Sequence, residues 1–337
     1  MHIRLRKFEL KLKHAFTISR GSRDKVHNVI VELSDDKYFG LGEATENPYY
    51  HIDTEKISSD LLGIESLLKE HHFATPQKLW QEVSPILKQN PFALCALDEA
   101  AHDLYGKINN KPLYKIWGLD ASQAPLSNYT LGIDEVDVMI EKMKQTPWPL
   151  YKIKLGTEHD LEIIKALRNE TDAIFRVDAN GGWSAEQCIQ FSKEFKSLGV
   201  EFIEQPLHAD ASQEEKTEAF KHSKLPLIAD ESCIVEEDVA KCKSFFHGVN
   251  IKLMKCGGIT PALRMIQEAR TLGMKVMVGC MTESSVGISA IAQLAPMLDY
   301  IDMDGAMLLS NDPAKGVQLK NGKILLPDSA GTGVGLL

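Results

Sequence analysis

The chain of 337 residues carries a net charge of −9, with 44% hydrophobic and 25% charged residues. That balance describes an ordinary globular protein, long enough for about two domains and a core that needs no staples. It excludes a basic nucleic-acid surface, and no apolar run has the form of a signal peptide or a membrane span. The expected location is cytoplasmic. Cysteines 95, 188, 233, 242, 256 and 280 show neither paired nor metal-type spacing, so they are expected to be reduced and mostly buried.

The first 43 residues read as antiparallel strands. IRLRKFELKL alternates apolar and charged residues, and NVIVEL followed by YFGLGEA predicts a hairpin around Ser34–Lys37. From 53 to about 117 the pattern is helical, with Pro76 at a helix start and apolar residues at 94, 97, 101, 104 and 105. Residues 1–124 therefore predict an α+β capping domain. Residues 125–304 alternate strand and helix, with strands expected at 126–133, 150–155, 173–178, 201–205, 226–230, 248–253, 275–280 and 300–304. Between them lie helices such as SAEQCIQFSKEFKSLG, with Ser184 as N-cap and Gly199 as stop. Eight strands and seven helices predict an α/β fold, a modified TIM barrel of (β/α)7β form that carries the catalytic groups. Residues 305–337 hold Gly- and Pro-rich loops and one short hairpin, VQLKNGKILL, and are expected to return to the cap and complete it.

Five residues mark the ends of successive expected strands. They are Lys154 in LYKIKLG, Asp178 in IFRVDANG, Glu204 in FIEQPL, Asp230 in LIADES and Lys252 in VNIKLMK, at intervals of 24, 26, 26 and 22 residues. One βα unit takes about 25 residues, and the C-terminal ends of barrel strands open into one mouth. Asp178, Glu204 and Asp230 are hard oxygen donors with no Cys or His interleaved. They suit an octahedral Mg²⁺ with positions left for water and substrate, whereas zinc would recruit nitrogen or sulfur. Strand-end acids that merely cap helices or pair with lysines are the plainer reading, weakened by three in succession at barrel spacing.

Lys152 and Lys154 alternate along one strand and share its inner face. Burial, mutual repulsion and a nearby cation should push one of their pKa values down and leave an amine able to act as a base. Lys252 ends strand six, across the barrel from strand two. A substrate between Lys154 and Lys252 would present opposite faces to them, one for proton removal and one for delivery. Mg²⁺ on a substrate carboxylate would stabilise the enediolate formed when the α-proton leaves. Asp302 and Asp304, in YIDMDG, share a face at the end of strand eight and would attract a cation such as a substrate ammonium. Holding the loop at Gly305 is the alternative use for that pair.

The K-x-K, D, E, D, K series, with VDAN (177–180), EQP (204–206), ADES (229–232) and NIKLMKCGGIT (250–260), resembles the enolase superfamily in its muconate-lactonising subgroup. The likeness covers essentially the whole chain, and a lysine base working with Mg²⁺ against an enediolate is that superfamily's chemistry. Within it, the D-x-D of Asp302 and Asp304 resembles the dipeptide epimerases of the L-Ala-D/L-Glu type. The resemblance implies Lys154 and Lys252 as the acid/base pair, Lys152 as support for Lys154 and the substrate carboxylate, and one Mg²⁺ per subunit on Asp178, Glu204 and Asp230. Asp302 and Asp304 would hold the dipeptide's ammonium, with Thr130 and Cys280 lining the pocket, Cys280 as a non-catalytic wall. Loops of the first domain would close over the substrate, and HAFTISRGSR (14–23) and NPYYHID (47–53) are the candidates. Arg20 or Arg23 either pairs an acidic substrate side chain or stands as a solvated loop charge.

The implied function is a Mg²⁺-dependent dipeptide epimerase that inverts the α-carbon of the C-terminal residue by two-lysine 1,1-proton transfer. Its partner is a small dipeptide, not nucleic acid or membrane, and a homo-oligomer is left open. The nearest rival is an o-succinylbenzoate synthase or cycloisomerase of the same subgroup, which would need no ammonium site. A non-catalytic binding protein fits less well, because every catalytic position carries the expected residue type. Eleven histidines form no short metal motif, and GTGVG at 331–335 lacks the strand and helix of a dinucleotide site. Gly257–Gly258 reads as close packing of a loop against the barrel rather than as an anion cradle.

Overall fold

The computed structural model describes residues 1–337. It begins with an antiparallel sheet of β1 (His2–Ile18), β2 (Gly21–Ser34) and β3 (Phe39–Thr45), in the order β1-β2-β3. The turn between β2 and β3 falls where the sequence places it, with Asp36 in the left-handed region. Five helices follow: α1 (Thr54–Gly63), α2 (Glu65–Glu70), α3 (Pro76–Leu87), α4 (Pro91–Ile108) and α5 (Leu113–Ile116). Almost all of α4 is buried, because it lies between the cap sheet and the barrel. The sheet approaches it so closely that a Cβ on Gly40 or Gly42 would collide with the main chain of Ala100 or Ala96. Glycines inside a strand often mark such an approach.

The barrel comprises β4 (Tyr129–Leu131), α6 (Val136–Gln145), β5 (Leu150–Lys154), α7 (Asp160–Arg168), β6 (Ile174–Asp178), α8 (Ala185–Ser197), β7 (Val200–Glu204) and α9 (Gln213–His222). It continues with β8 (Leu227–Ala229), α10 (Glu236–Cys242), β9 (Gly248–Ile251), α11 (Leu253–Cys256), α12 (Ile259–Thr271), β10 (Lys275–Gly279), α13 (Ser285–Ala292) and β11 (Tyr300–Asp302). The eight strands run parallel in chain order from β4 to β11, and a single bridge between Ser127 and Ile301 joins the two edges. Ser184 caps α8 through a reciprocal bond with Gln187, and Gly199 follows in the left-handed region.

Several strands are shorter than the sequence suggests. The first shrinks from 126–133 to Tyr129–Leu131 because its flanks bond elsewhere. Asn128 donates to Asp302 at 2.8 Å, and the Ile133 N–H donates to the Thr17 carbonyl of the cap at 2.8 Å. Asp230, Lys252, Cys280 and Asp304 accordingly sit just beyond the last paired residue of their strands, where the chain turns into the mouth.

One continuous apolar core of 71 buried residues runs through cap and barrel, so the two pack as one body. Polar contacts key them together: Asp98 of α4 accepts from the Thr260 N–H and hydroxyl, each at 2.7 Å. A Cβ on Gly258 would collide with the same carboxylate, which is the close packing expected of that glycine pair. After β11 come β12 (Ala314–Lys315), the hairpin of β13 (Gln318–Lys320) and β14 (Lys323–Leu325), and β15 (Gly335–Leu336). Asn321 and Gly322 both take positive φ, as a two-residue hairpin turn requires. The tail returns to the cap: Ser310 N–H bonds Lys11 O and Thr332 N–H bonds Asp103, each at 2.8 Å. No helix is long and apolar enough to cross a membrane.

Candidate active site

A cavity of about 470 Å³ lies at the C-terminal mouth of the barrel, beneath the cap. Lys152, Lys154, Asp230, Lys252, Thr130, Cys280, Asp302 and Asp304 line it. Asp178 and Glu204 are fully buried and pair with Lys154 and Lys152, which line it. Acceptor oxygens of Asp178, Glu204 and Asp230 all lie within 4.8 Å of one another. Residues separated by more than fifty positions thus meet because β6, β7 and β8 are neighbours.

The order of the strands divides the mouth. With eight strands in the ring, β5 and β9 stand four apart and therefore face each other. Lys154 ends β5 and Lys252 follows β9. The three carboxylates occupy the arc between them, on β6 to β8. Cys280, Asp302, Asp304 and Thr130 occupy the opposite arc, on β10, β11 and β4.

Each acid of the first arc meets an ammonium. Asp178 Oδ2 is 2.6 Å from Lys154 Nζ and 3.2 Å from Lys152 Nζ. Glu204 Oε2 is 2.7 Å from Lys152 Nζ but in poor hydrogen-bond geometry, and it has no other partner. Its Oε1 accepts from Asn250 Nδ2 at 2.8 Å. Asp230 is shared between Lys252 at 2.9 Å and Lys255 at 2.7 Å. Burial drives the Asp178 and Asp230 carboxyls upward, but Lys154 and Lys152 in one case, and Lys252 and Lys255 in the other, outweigh it and hold both below the usual range. For Glu204, burial and the neighbouring Asp178 win over Lys152 and raise it to about 7.

The expectation of a depressed pKa in the Lys152–Lys154 pair is not met at Lys152. Burial pulls Lys152 down, yet Asp302, Glu204 and Asp178 together hold it well above its ordinary value. Lys252 is likewise raised, burial being outweighed mainly by Asp230. Acids, rather than fellow ammonium groups, dominate the surroundings of both.

On the opposite arc, Asp302 accepts from Lys152 at 2.8 Å and Asn128 at 2.8 Å. Asp304 accepts from the Thr130 N–H at 2.5 Å and its hydroxyl at 3.1 Å. Burial and the adjacent Asp302 charge raise Asp304 to about 8. Burial, then Asp302 and Asp304, push the Cys280 thiol well up, which keeps it protonated. That state suits a wall and not a nucleophile.

Two residues of the site were not singled out in the sequence. Lys255 is 1% exposed and donates to the Asp230 carbonyl and carboxylate and to Cys233 O, so it fixes a carboxylate rather than facing the cavity. Its signal was a lysine within the apolar and small residues of LMKCGG, where no solvent could reach it. Gln205, in the left-handed region, accepts from the N–H groups of Asp230 and Ser232 and donates to Leu207 O, which ties the end of β7 to the end of β8. Of the two loop arginines, Arg20 pairs with Glu231 at 2.7 Å, while Arg23 lines the same cavity without an ion pair.

Three buried carboxylates with no nitrogen or sulfur donor, one with an oxygen lacking any well-formed hydrogen bond, fit a hard divalent cation. The charges also fit. Asp178, Glu204, Asp230 and Asp302 face Lys152, Lys154, Lys252 and Lys255, so the ligand-free cluster is near balance.

Comparison with known proteins extends the likeness. Residues 2–118 match the family model for the mandelate racemase / muconate lactonizing enzyme N-terminal domain, and residues 136–337 match the enolase C-terminal domain-like model. The chain is 55% identical over 337 residues to an L-Ala-D/L-amino acid epimerase of Flavobacterium johnsoniae, covering 100% of both chains. It is 40% identical to an L-Ala-D/L-Glu epimerase of Bacteroides thetaiotaomicron, covering 97% of this chain and 86% of that one. Among solved structures, a dipeptide epimerase from Cytophaga hutchinsonii complexed with Mg and D-Ala-L-Val superposes with a TM-score of 0.93 at 26% identity, covering 99% of this chain and 95% of that one.

Proposed function

The chain belongs to the enolase superfamily, in its mandelate racemase / muconate lactonizing branch, and from that premise we propose that it inverts the C-terminal α-carbon of a dipeptide by passing a proton between Lys154 and Lys252. It is an isomerase of the epimerase type. The observation that carries the proposal is the division of the mouth. Two lysines face each other across it, carboxylates fill one arc, and an aspartate pair fills the other. A zwitterion laid between the lysines places its carboxylate toward β6–β8 and its ammonium toward β11. Its α-carbon then lies between two amines, one on each face.

Asp178, Glu204 and Asp230 would hold Mg²⁺, whose two positive charges, added to a balanced cluster, favour a carboxylate ligand and a neutral lysine. Lys154 and Lys252 then act in turn as base and acid, each on its own face. Inversion needs one neutral and one protonated at the start. Lys152, anchored by three acids, keeps its proton and supplies fixed positive charge beside the developing negative charge. Asp302 and Asp304 orient the amino end, with Thr130 and Cys280 as the walls around it. The ammonium requirement separates this reading from a succinylbenzoate synthase or cycloisomerase. Arg23 is the cation left free to meet an acidic side chain, while Phe16, Ile18 and Leu308 offer apolar surface.

The test is incubation of L-Ala-L-Glu and a panel of L-Ala dipeptides with Mg²⁺ in D₂O, followed by chiral separation and mass spectrometry. One deuteron should enter, at the C-terminal α-carbon, together with the inverted epimer. Turnover of an N-succinylated or lactone-forming substrate, with no exchange in any dipeptide, would overturn the proposal.

A further inference from the structure

Arg20 stands at the tip of the turn between β1 and β2, where Ile18 pairs with Gly21. Its guanidinium has three partners on three different segments. One nitrogen is 2.7 Å from Glu231 Oε1, beyond β8, and another donates to Asn180 O, beyond β6, at 3.2 Å. The guanidinium carbon lies 4.4 Å from the centre of the Tyr49 ring, in the second lid segment. Glu231 is buried and Asn180 donates its side-chain amide to the same Glu231 oxygen at 3.3 Å, so the two anchors are themselves joined. Both anchors continue from the carboxylate arc. Glu231 follows Asp230, and the Asn180 N–H donates to Asp178 Oδ1 at 2.9 Å. The main chain adds a further tie, from the Ile133 N–H to Thr17 O at 2.8 Å.

Two of the guanidinium nitrogens and its flat face are thus engaged by the protein itself, which orients Arg20 toward the barrel loops. We infer that Arg20 is a positioning residue that latches both lid segments, the β1–β2 turn and Pro48–Tyr50, onto the carboxylate arc of the barrel. The inference deepens the proposed function by separating the two loop arginines: Arg20 closes the pocket, and the substrate's side chain is read by other groups. A planar fork with an aromatic face beneath it is a role that lysine fills only in part.

The test has two arms. In the first, which needs no substrate, the ligand-free protein is treated with trypsin and cleavage is followed at Arg23 and Lys25. Arg20→Met and Glu231→Gln should each accelerate cleavage there by about tenfold, and Tyr49→Leu by less, while cleavage at sites outside the lid stays near the parent rate, which separates local opening from a general loss of stability. In the second, L-Ala-L-Glu and L-Ala-L-Leu serve as probes. Arg20→Met should raise KM for both by about fivefold or more, with kcat less affected and the ratio of their kcat/KM values unchanged, and Arg20→Lys should recover part of the loss. Unchanged cleavage in both Arg20→Met and Glu231→Gln would overturn the latch. So would a loss confined to the acidic probe, which would make Arg20 a reader of the side chain. If neither dipeptide turned over, that result would bear on the proposed function alone, and the trypsin arm would still decide the latch.

Discussion

Glu283 should make the ligand-free protein lose stability as the pH rises through neutrality. The residue is 3% exposed, one oxygen accepts from the Met281 N–H at 2.6 Å, and its acidic neighbours Glu43 and Glu99 come from β3 and α4 of the cap. Burial, then the charge of Glu43, raises its carboxyl from 4.5 to about 8. A group of this kind keeps its proton in the folded chain and loses it in the unfolded one between those values. The folded state therefore binds more protons there, and stability falls as pH rises. The slope is about 1.4 kcal/mol per pH unit, or roughly 2 kcal/mol between pH 6 and 8, where the curve begins to level. For a chain of this size that corresponds to about 3 °C in the unfolding midpoint. Glu283→Gln has the shape of the protonated acid without its titration. Calorimetry at pH 6 and 8 in chelator should find the variant more stable than the parent at both, with the gap wider at pH 8 by roughly 2 kcal/mol. The remaining slope would belong to the other acids raised by burial, among them Glu99, Glu43, Asp98, Glu204 and Asp304. An unchanged slope, or a variant already weakened at pH 6 by several degrees, would refute the reasoning.

Glu204→Gln should keep the Asn250 contact, and Lys152 retains Asp178 and Asp302, so stability should fall by less than the 3–5 kcal/mol typical of a broken buried pair. Turnover should fall by roughly 100-fold or more, and titration calorimetry should show weakened Mg²⁺ binding; full activity in chelator would remove the metal from the account. N-acetylation of the dipeptide, or Asp302→Asn with Asp304→Asn, should reduce kcat/KM by about tenfold to a hundredfold, the value of a charge-assisted contact of 1.5–3 kcal/mol. Because Asp304 titrates near 8 without ligand, binding of the ammonium at pH 7 should release a proton, read as a dependence of binding enthalpy on the buffer. Equal turnover of free and acetylated substrate, or no proton release, would count against the ammonium site.

The barrel was legible because its repeat is written in the chain. Apolar runs recur at a regular interval, and each ends in a charged residue that has no business in a core unless it faces a mouth. What was not legible depends on contacts between segments far apart in sequence. Lys255 was not singled out in the sequence, because its four oxygen neighbours come from Asp230, Cys233 and Asn250 and converge only in the fold. Arg20 and Arg23 are indistinguishable in RGSR, and only the placement of Glu231 and Tyr49 assigns one of them to the lid. The rise at Lys152 was hidden for the same reason. Spacing showed the two neighbouring ammonium groups, but not that barrel closure would bring Asp302 of the last strand to Lys152. Strand ends were overextended wherever a side chain such as Asn128 replaced the ladder as the hydrogen-bonding partner.

The measurement that bears most directly on the central claim is α-proton exchange in D₂O by Lys154→Ala and Lys252→Ala, each given the L,L and the L,D dipeptide separately. Two bases on opposite faces require that neither variant inverts its substrate, and that each exchanges the α-proton of only one epimer, the two variants having opposite preferences. A variant that inverted its substrate near the parent rate, or exchanged both epimers alike, would contradict the assignment of Lys154 and Lys252 to opposite faces.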